Sequence, residues 1–451
     1  MIKRKGLQAL TNWKRDTKRK PMVLRGARQV GKTTLVNEFA KQFKHYIYLN
    51  LEKEEDKRLF EHAGSVIELI DQLFIRFNIL SNEPEVLIFI DEIQECEKAI
   101  QWLRYFYEEK PLLYIIAAGS LLEFALRDIT SFPVGRVQQY ILHPIDFEEF
   151  LEASNNQAAW QALQQIPIND AAVQPLLNLF HQYIRVGGMP EVVAQYIETK
   201  DFVSLKQTYE NLWLGYKSDV EKYGRNTSNK SVIRHVIDSA PMEKDRITFQ
   251  HFGASNYKSR EVGEALHALD MSYLIRLVYP TTNLAAPILW DLKRKPRLQF
   301  LDVGLLNYAL QLHVEMIRVN DYSDFYRGKI IQQIVTQEYM AQHHSLLYKP
   351  SFWVQENASN QAEIDFLITY GSKLIPIEIK SGAQGKLKSL HQFVNKSQHP
   401  YAIRLLANKM SIEEVKTPEG KPYKLMNLPY FLACKLDAYI DWWMHEEANK
   451  N

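Results

Sequence analysis

The sequence predicts an α/β protein in several pieces: an N-terminal domain on a parallel sheet, a helical middle, and a second α/β unit at the C-terminal end. Three observations carry this. From Pro21 to about Phe150, unbroken apolar runs alternate with amphipathic helical stretches, the pattern of a parallel sheet covered on both faces. A glycine-rich turn separates the first apolar run from the helix that follows it. From Gly328 the pattern changes to helix, strand, tight turn and strand. A chain of 451 residues has room for about three domains.

Composition narrows the class. With 46% hydrophobic and 24% charged residues, the chain is neither disordered, collagen-like nor a disulfide-stapled mini-protein. A balance of 55 basic against 53 acidic residues selects no partner by charge. Two cysteines, Cys96 and Cys434, fit a reducing compartment. The N-terminus has charges but no apolar signal core, so the expected location is cytoplasmic. The longest apolar stretch, Pro111 to Leu126, is broken by Gly119-Ser120 and carries Glu123, so no membrane span is expected.

The elements follow in order. The first 20 residues hold eight basic residues and one acid. They read as a helix packing Leu7, Leu10 and Trp13 at helical spacing, in preference to a phosphate-contacting arm. MVLRG, YIYLNLE, EVLIFIDE and LLYIIAAGS read as strands. TTLVNEFAKQF, VIELIDQLFIRF and AIQWLRYFYEE read as helices. A Gln-, Asn- and Ala-rich stretch from Ser154 to Pro175 begins a helical linker or lid, in which Gly187-Gly188 and Pro190 mark a turn before a new helix. In SREVGEALHALDMSYLIRLVYP a helix leads into a strand, as in a winged helix. Domains are therefore expected at 1–153 (sheet domain), 154–225 (linker or lid), 226–325 (winged-helix-like) and 326–451 (second α/β unit).

Gly26-Ala27-Arg28-Gln29-Val30-Gly31-Lys32-Thr33, with Thr34 after it, matches GxxxxGK[ST] between a strand and a helix. Such a loop turns backbone N–H groups onto phosphate oxygens, and the helix N-terminus adds a favourable dipole. Lys32 reaches the β- and γ-phosphates, and the Thr33 hydroxyl suits Mg²⁺. Asp91 and Glu92 follow an apolar strand at its carboxyl end, where open α/β sheets bind ligands. Asp91 is expected to help hold Mg²⁺, and Glu92 to orient or deprotonate a water attacking the γ-phosphate. Ser120, after the next strand, is a candidate γ-phosphate sensor. Arg136, in a loop after a glycine, is a candidate charge-stabilising finger, in cis or from a neighbouring subunit.

RGARQVGKTTL, LIFIDEIQ, AAGSLLEF, VGRVQQYILHPIDFEEF, YIRVGGMPEVV, KPRLQFLDVGLLNYAL, AEIDFLIT and IPIEIKSG occur in order along the chain. In this the sequence resembles a large prokaryotic group of AAA-type ATPases with a C-terminal domain of unknown function. The resemblance runs from about Arg25 to Lys380. It implies an ATP-binding P-loop NTPase domain with Walker A and Walker B motifs, a winged-helix-like middle and a restriction-endonuclease-like C-terminal domain. It implies no biological role.

In that last domain Asp365 lies on one strand and Glu378 and Lys380 on the next, which the turn at Tyr370 to Lys373 folds back. Strand alternation puts Glu378 and Lys380 on one face, so Asp365 and Glu378 can converge on a metal with Lys380 beside it. The segment resembles the PD-(D/E)xK nuclease fold, whose working geometry this is. Glu338, on the preceding helix, is expected to complete the ligand set. Many members of the group carry a Glu near the start of that helix, where this chain has Gln332. The fold also serves as a binding scaffold without cleavage. His343-His344 make a poor metal pair, Trp442-Trp443 suit a docked helix, and Lys293-Arg294-Lys295 with Arg297 suit a solvated loop.

The function expected is an ATPase binding ATP and Mg²⁺, a nucleotide-dependent switch with DNA as its candidate target. One alternative is an ATP-regulated, metal-dependent nuclease. The other is a non-enzymatic, nucleotide-gated module that binds DNA or a protein partner. A homo-oligomer is compatible with all three.

Overall fold

The computed structural model describes residues 2–81, 83–128, 133–222, 227–243, 245–312, 324–355 and 362–450. The predicted boundary at 225/226 lies outside the described residues. The chain divides into two compact units. Unit 1 comprises Met1–Pro144, Met271–Tyr273 and His344–Tyr348, and unit 2 comprises Ile145–Asp270, Leu274–His343 and Lys349–Asn451. Among the described residues no helix is long and apolar enough to cross a membrane.

Unit 1 begins with helix α1 (Lys5–Arg15), which buries Gly6, Leu10 and Trp13. Gly6 lies against α2 (Lys32–Ala40): a Cβ there would fall 2.8 Å from a Leu35 methyl. The expected apolar stripe is thus the packing face. The strands are β1 (Met22–Arg25), β2 (His45–Asn50), β3 (Val86–Asp91), β4 (Tyr114–Ala118) and β5 (Gln138–Ile141). They form one parallel sheet in the order β2-β3-β4-β1-β5. β3 is buried along its whole length, as a strand covered on both faces must be. Helices α3 (Glu54–His62), α4 (Val66–Arg76), α5 (Glu97–Glu109) and α6 (Leu122–Asp128) complete the alternation. The strands expected from sequence are β1 to β4. β5 is added at the edge, where Gln138 and Gln139 leave it only half apolar. Its end is met by His344, which stacks on Tyr140 at 4.3 Å and exchanges hydrogen bonds with the Ile141 backbone at 3.0 and 3.1 Å.

Unit 2 opens with helices α7 (Phe147–Ala153), α8 (Gln157–Leu163), α9 (Asp170–Val186), α10 (Pro190–Thr199), α11 (Leu205–Glu221), α12 (Thr227–Ser239) and α13 (Ser259–Met271). The Gly187-Gly188 turn ends α9, and Pro190 opens α10 at the position where its missing N–H costs nothing. After α13 comes β6 (Ile275–Val278), paired antiparallel with β8 (Arg297–Phe300). Between them lies β7 (Pro280–Thr281), which joins β9 (Phe352–Val354) and β10 (Glu363–Ile364) in a three-stranded sheet. A mixed five-stranded sheet holds β11 (Phe366–Tyr370), β12 (Lys373–Ile379), β13 (Tyr401–Leu406), β14 (Ser411–Lys416) and β15 (Pro422–Pro429), in the order β11-β12-β13-β15-β14. The turn expected at Tyr370 to Lys373 closes the antiparallel β11–β12 pair. Trp443, on the Leu436–Lys450 helix, is fully buried, consistent with a docked helix.

Two glycine motifs dock against each other within unit 2. Asp302 caps α14 (Val303–Ala309), accepting from Leu305 N at 3.0 Å, and also accepts from Gly188 N at 2.6 Å. A Cβ on Gly187 would fall 2.6 Å from Asp302 Oδ1, and one on Gly304 would fall 1.8 Å from the Tyr209 hydroxyl. That hydroxyl donates to the Val186 carbonyl. Burial lifts the Asp302 carboxyl to about 6, against the opposing pull of its backbone donors.

Candidate active site

The first site lies at the carboxyl edge of the parallel sheet, along the neighbouring strands β3, β4 and β1. The segment after β1 turns at Gly26 with φ +130°, and Gly31 precedes α2 with φ 93°. Both conformations disfavour a side chain, and a Cβ on Gly26 would sit 2.2 Å from the Leu142 carbonyl oxygen. Arg4, ahead of α1, donates to the Val30 carbonyl at 2.8 Å and the His143 carbonyl at 2.7 Å. It ties the loop to the segment after β5. Ala27 and Val30 are buried, whereas Arg28, Gln29 and Thr34 are exposed.

Lys32 is buried inside the loop, its ammonium donating to the carbonyls of Gly26 (3.0 Å) and Ala27 (2.8 Å). Burial lowers it to about 8, with Glu92 and Asp91 pulling back. Thr33 Oγ1 donates to Asp91 Oδ2 at 2.8 Å, and Tyr48 adds its hydroxyl to the same oxygen at 3.2 Å. Burial raises the Asp91 carboxyl, opposed by the Thr33 hydrogen bond. A hydroxyl and a carboxylate this close are a hard-oxygen pair of the kind Mg²⁺ prefers, so these residues fit the ion. Glu92, in the left-handed region at φ 49°, turns its carboxylate toward β4. Its Oε2 accepts from Gln94 Nε2 at 2.7 Å and from Ser120 Oγ at 3.3 Å. The predicted Lys32, Thr33, Asp91, Glu92 and Ser120 are thus brought together.

Arg136 does not join them within this chain. It precedes β5, which runs parallel to β1, so it lies at the sheet end opposite the loop that follows β1. There it pairs with Glu108 at 2.9 Å, an acid that also takes Arg104 at 3.0 Å. A finger role in cis is thereby excluded by the strand direction.

The second site lies in unit 2. Asp365 Oδ2 accepts from Ile379 N at 2.9 Å, Lys380 donates to Glu378 Oε1 at 2.5 Å, and Arg297 Nη2 is 3.8 Å from Asp365 Oδ1. All five residues line a cavity of about 410 Å³. Burial, then Asp365, raises Glu378 to about 7, with Lys380 opposing. Glu378 Oε2 is buried with no hydrogen-bond partner.

Glu338 corrects the expected ligand set. It is fully buried away from this cavity, accepting from Phe147 N at 3.0 Å and from the Tyr183 hydroxyl at 2.8 Å. Gln332 lines the cavity instead and donates to Asp365 Oδ1 at 3.4 Å. Six residues along an α-helix turn the side chain by about 240°, so the two cannot serve one site. Among the described residues no cluster of three metal-ligating side chains occurs. The predicted three-carboxylate set therefore does not form.

Sequence reasoning missed Gln94, Gly119, Tyr48 and Arg297 as site residues. Gln94 stood in the quoted LIFIDEIQ run, but nothing local says that it faces back onto Glu92. Gly119 admits it: a Cβ there would fall 2.3 Å from Gln94 Oε1.

Comparison with known proteins matches three stretches of the chain. Residues 18–151 match an AAA domain family (AAA_14), residues 177–315 a domain of unknown function (DUF8612), and residues 327–427 another (DUF4143). An uncharacterized protein of Haemophilus influenzae is 25% identical over 181 residues, covering 38% of this chain. The match spans 40% of that relative's own length. Among solved structures, the chain is similar to the Thermotoga maritima RuvB Holliday junction branch migration motor, with TM-score 0.28, 16% identity, and 61% of this chain and 89% of that one covered. It is also similar to a STAND signal-transduction ATPase with a tetratricopeptide repeat sensor from Pyrococcus horikoshii, with TM-score 0.29, 13% identity and coverages of 76% and 46%. For PCH-2 of C. elegans the TM-score is 0.22, at 17% identity and coverages of 35% and 47%. The phosphate-loop geometry thus falls within the stretch that matches an AAA domain, and the two stretches that follow match domains of unknown function.

Proposed function

We propose that the chain binds ATP with Mg²⁺ and hydrolyses it as a switch. One observation carries the reading: Thr33 Oγ1 and Asp91 Oδ2 meet at 2.8 Å while Lys32 and Glu92 converge from the loop and from β3. Held by Thr33 and Asp91, magnesium supplies charge neutralisation on the phosphate oxygens. Lys32 leaves its loop carbonyls for the β- and γ-phosphates. Backbone N–H groups of residues 26–33 bind and orient the triphosphate. Glu92 accepts the proton of a water that attacks the γ-phosphorus, and the bond to the β,γ-bridging oxygen breaks to leave ADP and phosphate. Gln94 and Ser120 hold the Glu92 carboxylate, which supports slow turnover and hence a switch in preference to a motor. Any role of Arg136 would be on a neighbouring copy. The test is hydrolysis of ATP by Lys32→Ala and Glu92→Gln proteins: activity that survives both overturns the reading.

The switch's output is proposed to be unit 2, on DNA or on a protein. Helices α12 and α13 followed by the antiparallel β6–β8 pair support the winged-helix reading. The mixed sheet with Asp365, Glu378 and Lys380 supports the restriction-endonuclease-like one. DNA binding that weakens with salt and changes with nucleotide supports a DNA output, and its absence favours a protein partner. A cytoplasmic location is part of the same reading, supported by the low cysteine content, Cys96 and Cys434 alone, both buried.

A second reading, an ATP-regulated nuclease, is favoured by one observation, the unpartnered Glu378 Oε2 facing a cavity that also holds Asp365 and Lys380. Two carboxylates and an amide fit the expected metal poorly. Incubation of linear and single-stranded DNA with Mg²⁺ or Mn²⁺, with and without ATP, decides it; uncut substrate throughout removes the nuclease.

A further inference from the structure

A row of polar residues crosses the five-stranded sheet of unit 2. Glu378 of β12 pairs in register with Arg404 of β13, Arg404 with Asn427 of β15, and Asn427 with Ser411 of β14. Cross-strand neighbours share a face. At the Glu378 end the row faces the cavity described above. At the Arg404 end it opens into a separate groove of about 620 Å³. The segment carrying Gly385 separates the two: a Cβ at Gly385 would fall 2.5 Å from Lys380 Cδ.

Arg404 is fixed in this groove with no carboxylate partner among the described residues. Its Nε donates to Asn427 Oδ1 at 2.7 Å, and its Nη1 donates to the Gly385 carbonyl at 3.3 Å. Both acceptors are neutral. Asn427 is 2% exposed and is itself held, donating to Ser411 Oγ at 2.9 Å and Glu413 Oε1 at 2.6 Å. The one acid lining the groove is therefore already engaged by neutral donors. Lys386 and Lys409 line the same groove, and the Lys409 contact with Asp170 joins two exposed groups that solvent screens. A guanidinium carries five N–H donors in a rigid fork, and two are used here. Immobilised beforehand, such a fork loses little entropy when it takes a planar or tetrahedral oxyanion.

We propose that this groove binds a phosphate group, with Arg404 as the fork and Lys386 at the rim, either as a free phosphate or as a phosphodiester of nucleic acid. The site is independent of the nucleotide site of unit 1.

The test uses the full chain, the variants Arg404→Gln and Lys386→Ala, and Lys293→Ala as a control for loss of an exposed charge. One arm measures the rise in unfolding temperature given by inorganic phosphate over chloride at equal ionic strength. The other measures fluorescence anisotropy of a labelled 20-nucleotide single strand between 50 and 200 mM salt. Expected is a loss of about tenfold in affinity for Arg404→Gln, from hydrogen bonds to a charged group. The slope of log affinity against log salt should fall by about one for each cation removed. A merely structural arginine would leave that slope unchanged. Loss in the phosphate arm alone identifies a free anion, and loss in both identifies a nucleic-acid phosphodiester. If Arg404→Gln fails to fold, the exposed Lys386→Ala carries the measurement. Wild-type, Arg404→Gln and Lys386→Ala proteins that match in both arms overturn the proposal, as does a Lys293→Ala loss equal to theirs.

Discussion

Each unit sets a lysine and two carboxylates beside the end of a buried strand, yet the two clusters are built differently. In unit 1 every member sits at or just after the carboxyl end of a strand of one parallel sheet, or at the first turn of the helix that follows it. Strand direction alone then delivers Lys32, Thr33, Asp91, Glu92 and Ser120 to one edge. In unit 2 Glu378 lies on β12, with Asp365 at the bend just before its antiparallel partner β11 and Lys380 just after β12, but the expected third carboxylate comes from a helix. Helical phase decides which residue faces the cavity, and it selects Gln332 over Glu338. A site assembled from strand ends tolerates ignorance of packing, and one that borrows from a helix does not.

The largest effects should fall on unit 1. Glu92→Gln should lower kcat for ATP hydrolysis by about 10² to 10⁴ with nucleotide affinity kept, since a general base is removed and binding is not. Lys32→Ala should lose binding as well, by titration with a fluorescent ATP analogue. Equal loss of affinity in both variants would break the assigned division between holding phosphate and moving a proton.

Glu338→Ala should act on stability. It strips the acceptor from the buried Phe147 N–H, at about 2 kcal/mol in urea unfolding, while the Tyr183 hydroxyl still donates to the Ile145 carbonyl at 2.7 Å. A cost below about 1 kcal/mol would return Glu338 to the candidate metal set.

Asp302 gives a pH signature. Its folded pKa of about 6 lies above the ordinary 3.8, so the native state binds the proton more tightly than the unfolded chain does. Its contribution is complete below about pH 4 and is lost as pH rises through 6, roughly 3 kcal/mol in all. The unfolding free energy of wild type minus that of Asp302→Asn should fall across this window, and a flat difference would show that the backbone donors cancel the effect of burial.

The smallest effect sharpens the contrast directly. Gln332→Glu puts a carboxylate beside Asp365, and Mn²⁺ should then raise the unfolding temperature by about 2 °C more than in wild type. No added shift would mean that Arg297, close to Asp365, keeps the cation out.

How much was legible follows the same division. The first four strands and the phosphate loop could be read because buried parallel strands are largely apolar and the loop has a fixed spacing. β5 escaped because Gln138 and Gln139 break its apolar run, and α3 because Phe60 is its only buried apolar residue. The GG and Asp-x-Gly motifs were both visible as sequence. That Gly187 and Gly304 are small to admit Tyr209 and Asp302 is a long-range fact, and no local pattern encodes it. The phase error at Glu338 has the same origin. The helix spanning Asp324–Ala341 has no single apolar stripe to say which side looks inward.

The contact of His344 with Tyr140 and Ile141 bears on how the ATPase part can be isolated. A protein cut after residue 153 would keep every residue of the phosphate loop yet leave the margin of β5 open. Bare strand margins recruit other chains. Such a fragment is expected to precipitate or self-associate, and adding back a peptide spanning 344–348 should improve its solubility.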